Sequence, residues 1–198
     1  MCRRVLMIAS SNPGKLREVR ALLSDLDLEV LPAPSEALNG IEETGKTFAE
    51  NALIKAHAVA QRTGNIALAD DSGLEVDALD GSPGVLSSRF APTDEERNRK
   101  LLNLLEDVPD EKRTARFRCA VAVVTPEGSS EVREGICEGT IGHEPRGSNG
   151  FGYDPVFFFP PLGRTFAELS SEEKNAVSHR GKALRAAREA LASVFASS

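Results

Sequence analysis

Residues 5–23 read VLMIASSNPGKLREVRALL, and this stretch decides the fold class. Val5 to Ala9 is an apolar run of strand length. Beyond Pro13, Leu16, Val19, Leu22 and Leu23 recur at helical spacing. Pro13 sits in a first helical turn, where its missing N–H would have no helical partner anyway. The stretch therefore predicts a strand, a tight polar turn from Ser10 to Lys15, and a helix. Ahead of it, Met1-Cys2-Arg3-Arg4 gives a basic start like that of a signal peptide. The apolar run is too short for one, and the polar turn follows at once, so the segment reads as a first strand.

The same alternation continues outward. Leu28 to Leu31 reads as a second strand. Thr47 to Glu50 is a capping box, in which Thr and Glu satisfy each other's free backbone N–H groups, and it opens a long helix ending near Thr63-Gly64. Ile66 to Ala69 reads as a strand running into Asp70-Asp71-Ser72-Gly73. Leu74, Val76 and Ala78 then alternate with Glu75 and Asp77, as in a half-exposed strand. Gly81 to Gly84 is a turn. A second capping box, Thr93 to Glu96, precedes a helix with Leu101, Leu102, Leu104 and Leu105 on its apolar face. Arg116 to Thr125 and Glu131 to Ile141 predict two strands joined as a hairpin by Pro126 to Ser129. Gly147 to Pro155 is a Gly-rich loop. A third capping box, Ser170 to Glu173, leads into a polar helix, and Leu184, Ala187, Leu191 and Val194 mark a last one. Strands alternating with helices around a central hairpin predict an α/β fold with a mixed sheet.

The chain has 198 residues, 24 Lys and Arg against 30 Asp and Glu, and a formal net charge of -6. Such a chain does not coat nucleic acid by diffuse attraction to phosphates; a polyanion would need placed cations or a metal. No apolar run is long enough to span a bilayer. Cys2, Cys119 and Cys137 are odd in number and form no CxxC pair, which fits a reducing, cytoplasmic location. His57, His143 and His179 lack zinc-ligand spacing.

Four segments carry candidate chemistry. Ser10-Ser11-Asn12-Pro13-Gly14-Lys15 places free N–H groups, a close-approaching glycine and a lysine at a helix N-terminus, a phosphate-binding arrangement without the Walker A pattern. The plainer alternative is a capped helix start. Asp70 and Asp71 follow an apolar strand, where α/β proteins place ligand sites, and hard carboxylates beside a phosphate site point to magnesium. Adjacent strand residues point to opposite faces, so only one of the two faces the site directly. Glu42, Glu43 and Glu50 are further candidates. Asn149-Gly150-Phe151-Gly152-Tyr153-Asp154-Pro155 sets two rings in a Gly-rich loop, either to stack on a nucleobase or to pin the loop to the core. Finally, Ser178 as a cap would put His179 and Arg180 in a first helical turn. Cations are unfavourable there without an anion or acceptor nearby.

Together these segments resemble the inosine triphosphate pyrophosphatase family, which acts on non-standard purine nucleoside triphosphates. The blocks are SNPGKLREV (11–19, preceded by Ser10), EETGKTFAENALIKA (42–56), ADDSGLEVDALDGSPGVLSSRFA (69–91), GFGYDP (150–155) and AELSSEEKNAVSHRGKAL (167–184). The resemblance implies an enzyme that hydrolyses ITP, dITP and XTP to the monophosphate plus pyrophosphate, keeping them out of DNA and RNA. It implies one domain over residues 1–198: an elongated mixed β-sheet flanked by helices, in two lobes with an active-site cleft between them. It also implies Mg2+ and a homodimer. Carried over, Ser10, Ser11, Asn12, Pro13, Gly14 and Lys15 hold phosphates, and Lys55 reaches one. Glu42 and Asp71 bind magnesium, and Asp71 also accepts the attacking water's proton. Ser72 touches substrate. Phe151, Gly152, Tyr153 and Asp154 line the base pocket, and Lys174, His179 and Arg180 contact the base, Arg180 donating to the 6-oxo group. The sequence departs from the family at Ser148-Asn149, where a glycine-rich pair is common, and at Phe90, where Tyr is. The alternatives are a related pyrophosphatase for other modified nucleotides and a catalytically silent nucleotide-binding protein. Nucleic-acid binding lacks a basic stripe, and a Nudix hydrolase would need a REXXEE helix that Glu172-Glu173 does not supply.

Overall fold

The computed structural model describes residues 4–196; Met1, Cys2 and Arg3, at the start of the predicted first strand, lie outside the described residues, as do Ser197 and Ser198. Strand β1 (Val5–Ile8) leads through the polar turn into α1 (Pro13–Leu22), then β2 (Glu29–Pro32), the short α2 (Ser35–Leu38) and α3 (Phe48–Thr63). Next come β3 (Ile66–Val76), α4 (Asp94–Leu104), β4 (Thr114–Val124) and β5 (Ser130–Ile141). The short β6 (Phe157–Phe159) and β7 (Arg164–Thr165) precede α5 (Ser171–Val177) and α6 (His179–Ala196). The seven strands form one sheet in the order β2-β1-β3-β4-β5-β6-β7. β1 runs parallel to β2 and β3, whereas β6 is antiparallel to β5 and β7, so the sheet is mixed. The chain divides into two compact units. One takes residues up to Asp71, Cys119–Gly135 and the chain from Arg180 on; the other takes Ser72–Arg118 and Ile136–His179.

In the first unit, Val19 and Leu23 of the α1 segment and Ala183, Leu184, Ala187 and Leu191 of α6 bury their stripes with Leu6, Ile8, Ile66, Leu68, Val121 and Val123. Helix α3 buries Ala52, Ala56, Val59 and Ala60, at helical spacing, and Gly64 closes it in the left-handed conformation. The second unit has an aromatic core. Phe157 lies 4.6 Å from Phe117 and 4.8 Å from Phe166 between ring centroids, and the His179 ring stacks on Phe117 at 4.6 Å.

Several local expectations change. β3 is one unbroken strand from Ile66 to Val76, so the expected strand does not end at Ala69 but continues through Asp70-Asp71-Ser72-Gly73 to Val76. Every residue from Ile66 to Asp71 is buried, and ion pairs with Lys15 and Lys55 accommodate the two aspartates inside the strand. Ala78 belongs to a 3-10 turn after the strand, and Leu104 stands half exposed while Leu101 and Leu105 enter the core. The short elements α2, β6 and β7 carry too little periodicity to be read from sequence.

Candidate active site

The first unit brings the phosphate-loop, aspartate and lysine candidates together. Asn12 caps α1: its Oδ1 accepts from the N–H groups of Gly14 at 2.8 Å and Lys15 at 3.2 Å. This is the plainer cap foreseen for the loop, and it fixes where the Lys15 side chain leaves the helix. Lys15 Nζ then reaches Asp70, 3.0 Å from Oδ2 and 3.3 Å from the carbonyl oxygen. Lys55, on α3, donates to the same carbonyl at 2.9 Å and sits 3.1 Å from Asp71 Oδ1 and 3.0 Å from Glu43 Oε1. Two ammonium groups thus meet at one backbone oxygen beside the polar turn. Ser10 Oγ accepts from the N–H of Asn12, and Ser11 is exposed.

The two aspartates have opposite electrostatics. Burial pushes Asp70 up, but Lys15, Arg180 and Lys55 outweigh it and hold the carboxyl far below its ordinary 3.8. For Asp71 burial wins over the attraction of Lys55 and Lys15, and its pKa is raised. Asp71 Oδ1 is engaged by Lys55, whereas Oδ2 is buried without a hydrogen-bond partner. The cost of burial opposes the charge of Lys55, but Asp71, Asp70 and Glu43 together raise its pKa, so it stays an ammonium. Arg180 is only 2% exposed, and its Nε and Nη2 both donate to Asp70 Oδ2, at 3.1 and 3.0 Å. Its Nη1 pairs with Glu18 Oε2 at 2.5 Å. This buried network supplies the anions that a cation in a first helical turn requires. Glu18, given no role by the sequence reading, stands one helical turn beyond Lys15, and that spacing was its signal. Glu50 belongs to the α3 capping box, and Glu42 lies exposed just ahead of it.

The second unit gathers the loop and α5. Asp154 is buried, and its Oδ2 accepts from Phe151 N–H at 2.8 Å and from Lys174 Nζ at 2.6 Å. Lys174, also buried, lies 4.7 Å from the centroid of the Phe151 ring, a cation–π contact. Gly150 has a φ of +76°, and a Cβ there would meet Asp154 Oδ2 at 2.0 Å, so glycine is required at that position. Tyr153 is 4% exposed and donates to the Ser87 carbonyl at 2.9 Å, so this ring pins the loop to the core. Asn149 donates to the Leu169 carbonyl at 3.0 Å, a tie that a glycine at this departure from the family would lack. Ser72 is half-buried at the start of this unit, and His179 ends it, while Arg180 begins the last segment of the other. The sequence reading missed Asp94 and Asn98, both of which bond to Gly152. The signal was Asn98 itself, a polar residue in line with Leu101 and Leu105 on the buried stripe of α4.

Asp71 Oδ2 is the kind of oxygen a hard divalent cation would satisfy. Among the described residues no three His, Cys, Asp or Glu side chains gather to hold a metal. A magnesium site commonly takes only one or two carboxylates and completes its octahedron with substrate phosphates and water.

Known proteins resemble the chain over nearly its whole length. A model of the Ham1 family matches residues 6–190. The chain is 52% identical over 190 residues to a dITP/XTP pyrophosphatase of Desulforamulus reducens, with 94% of each chain covered. It is 50% identical to a dITP/XTP pyrophosphatase of Nostoc sp., with 98% of each covered. The solved structure of a HAM1 protein from Coxiella burnetii superposes with a TM-score of 0.84 at 47% identity, covering 98% of this chain and 99% of that one.

Proposed function

The chain belongs to the Ham1 family, and from that premise we propose that it hydrolyses ITP, dITP and XTP to the monophosphate and pyrophosphate, keeping them out of DNA and RNA. The observation that carries the reading is Asp71, a buried carboxylate with a raised pKa and an unengaged Oδ2, adjacent on β3 to the lysine-bound Asp70. Lys15, Lys55 and the Ser10 to Gly14 turn hold the phosphates. Asp71, not Asp70, takes the proton of the attacking water. Asp70 is held ionised by Lys15 and Arg180 and is too weak a base for that step. The water oxygen bonds to phosphorus, the anhydride bond between the α and β phosphates breaks, and pyrophosphate leaves. Magnesium, held by Asp71 with Glu42, would polarise the phosphoryl oxygens.

The base goes to the second unit's groups. Phe151 stacks on the ring, and Lys174 and His179 supply donors for the 6-oxo group. Arg180, held on Asp70 and Glu18, orients Asp70 in this reading. Adenine presents an amino donor where hypoxanthine and xanthine present an acceptor. A buried donor left unpaired costs about 1–3 kcal/mol, or about 5- to 150-fold in discrimination. A homodimer and a cytoplasmic location belong to the same proposal; no described helix is long and apolar enough to cross a membrane. The test is pyrophosphate release from ITP, dITP, XTP, GTP, ATP and dTTP, with magnesium and with EDTA. Magnesium-dependent release favouring ITP, dITP and XTP is expected. Equal turnover of all six would overturn the base selection, and no release would leave a silent nucleotide-binding protein.

A further inference from the structure

Gly152, between Phe151 and Tyr153, is gripped through both of its backbone polar groups by one helix. Its N–H donates to Asp94 Oδ2 at 2.7 Å, and its carbonyl accepts from Asn98 Nδ2 at 3.0 Å. Asp94 and Asn98 are four residues apart on α4 and so share one face. Gly152 has a φ of +64°, and nothing lies within 4 Å of the place a Cβ would occupy, so its glycine serves the backbone conformation that presents both groups to α4.

Neither side chain is needed there by the helix. Thr93 and Glu96 already form the capping box of α4. Asn98 is only 5% exposed, yet its Oδ1 has no hydrogen-bond partner, so the Gly152 carbonyl is what its buried amide serves. An apolar residue would bury at that position with less penalty. Asp94 is itself held in place, its Oδ1 paired with Arg97, whose Nε donates to the Ala91 carbonyl at 2.9 Å.

We propose that Asp94 and Asn98 are positioning residues for substrate selection: they clamp Gly152 and so fix the Phe151 ring for the purine. The inference rests on the proposed function for its substrate, and on the geometry alone for the clamp. Asp154 holds the N–H of Phe151 and Ser87 holds the hydroxyl of Tyr153, so α4 supplies the hold on the peptide unit between them. The lysines and Asp71 assigned to the phosphates belong to the other unit, so loosening the loop weakens base binding and leaves the chemical step alone.

The experiment compares wild type, Asp94→Ala, Asn98→Ala and Asp94→Asn on ITP with magnesium. KM rises about tenfold in both alanine variants, the worth of one hydrogen bond, which at the exposed Asp94 is strengthened by the carboxylate's charge, while kcat stays within about twofold. Asp94→Asn keeps an oxygen that accepts from Gly152 and retains the wild-type KM, a rescue that distinguishes positioning from bulk stability. Unchanged KM in both alanine variants, or equal loss in Asp94→Asn and Asp94→Ala, overturns the proposal. A second arm needs no turnover. The chain contains no Trp, so Phe151→Trp is the sole tryptophan in the unliganded protein and its emission is read apart from that of Tyr153. Acrylamide quenches it more when Asp94→Ala is added and no more when Asp94→Asn is added; equal quenching in all three overturns the clamp. Wild-type protein that releases no pyrophosphate would instead overturn the function while this arm still reads the clamp.

Discussion

Replacing Asp71 by Asn separates catalysis from stability. The substitution keeps the shape of the side chain and an oxygen for Lys55, which retains Glu43 and the Asp70 carbonyl as partners. It removes the group proposed as proton acceptor and as one charged metal ligand. Loss of a general base costs about 100- to 10,000-fold in kcat/KM, or about 2.7–5.4 kcal/mol of transition-state stabilisation. The stability change has the opposite sign. Burial raises the Asp71 pKa, so the folded protein binds that proton more tightly than the unfolded chain does. The ionised carboxylate therefore opposes folding above the raised pKa, and the opposition disappears as pH falls through it. At neutral pH, Asp71→Asn should melt at or above the wild-type temperature while nearly all turnover is lost. Pyrophosphate release across a range of ITP concentrations and a thermal melt at pH 7.5 measure both. Turnover within tenfold of wild type would place the base elsewhere, and a Tm several degrees lower would refute the electrostatic argument.

Further outcomes are expected. Asp70→Asn should destabilise the protein by about 3–5 kcal/mol by urea unfolding, because it leaves the buried Arg180 with only part of its counter-charge. On the acid side, kcat/KM should fall as Asp71 takes up a proton at a pH above the ordinary 3.8 of an aspartate; a pH profile flat down to that value would contradict the assignment. The contribution of Asp70 to stability runs the other way: it is intact above 3.8 and lost as pH falls from there toward its lower folded value. Gly150→Ala should raise KM for ITP with little change in kcat, since the new Cβ at 2.0 Å from Asp154 Oδ2 displaces the carboxylate that holds Phe151 and Lys174. Arg113→Met should cost at least about 3 kcal/mol in the same urea titration. Buried Arg113 donates to the carbonyls of Leu105, Val108, Ile141 and Gly142, each worth about 1–3 kcal/mol when left unsatisfied in the interior.

The parts of the fold legible in the sequence are those governed by local rules. Pro13 after a polar turn, the capping boxes at Thr47, Thr93 and Ser170, and the apolar stripe of α6 each announce an element through short-range chemistry, and each element forms. What the sequence concealed depends on residues far apart in the chain. Ile66 to Ala69 reads as a strand that gives out at Asp70-Asp71-Ser72-Gly73, because acidic and small residues break the apolar run. Only the arrival of Lys15, Lys55 and Arg180, from 55, 15 and 110 residues away, makes two buried carboxylates tolerable inside a strand. The grip of α4 on Gly152 is hidden for the same reason, since Asn98 and Gly152 are 54 residues apart. The motif residues were visible one by one; the partners that tune them were not.

The same geometry bears on a question that spacing leaves open, namely which aspartate would serve as the base in the proposed reaction. Side chains alternate along a strand, so the carboxyls of Asp70 and Asp71 meet different direct partners. Asp70 meets Lys15 from α1 and Arg180 from α6, the two helices that pack in the same core with β1 and β3. Its Oδ2 accepts from both cations, which stabilises the anion and removes its appetite for a proton. Asp71 meets Lys55 from α3 through one oxygen and keeps the other buried and unengaged. In the proposed reaction one residue of register therefore divides the work: the first carboxylate anchors the cations assigned to phosphate, and the second remains basic enough to take a proton. A sheet that slipped by one residue at β3 would exchange these surroundings, which is why the buried run from Ile66 to Leu68, paired in parallel with β1, is as much a part of the catalytic arrangement as the aspartates.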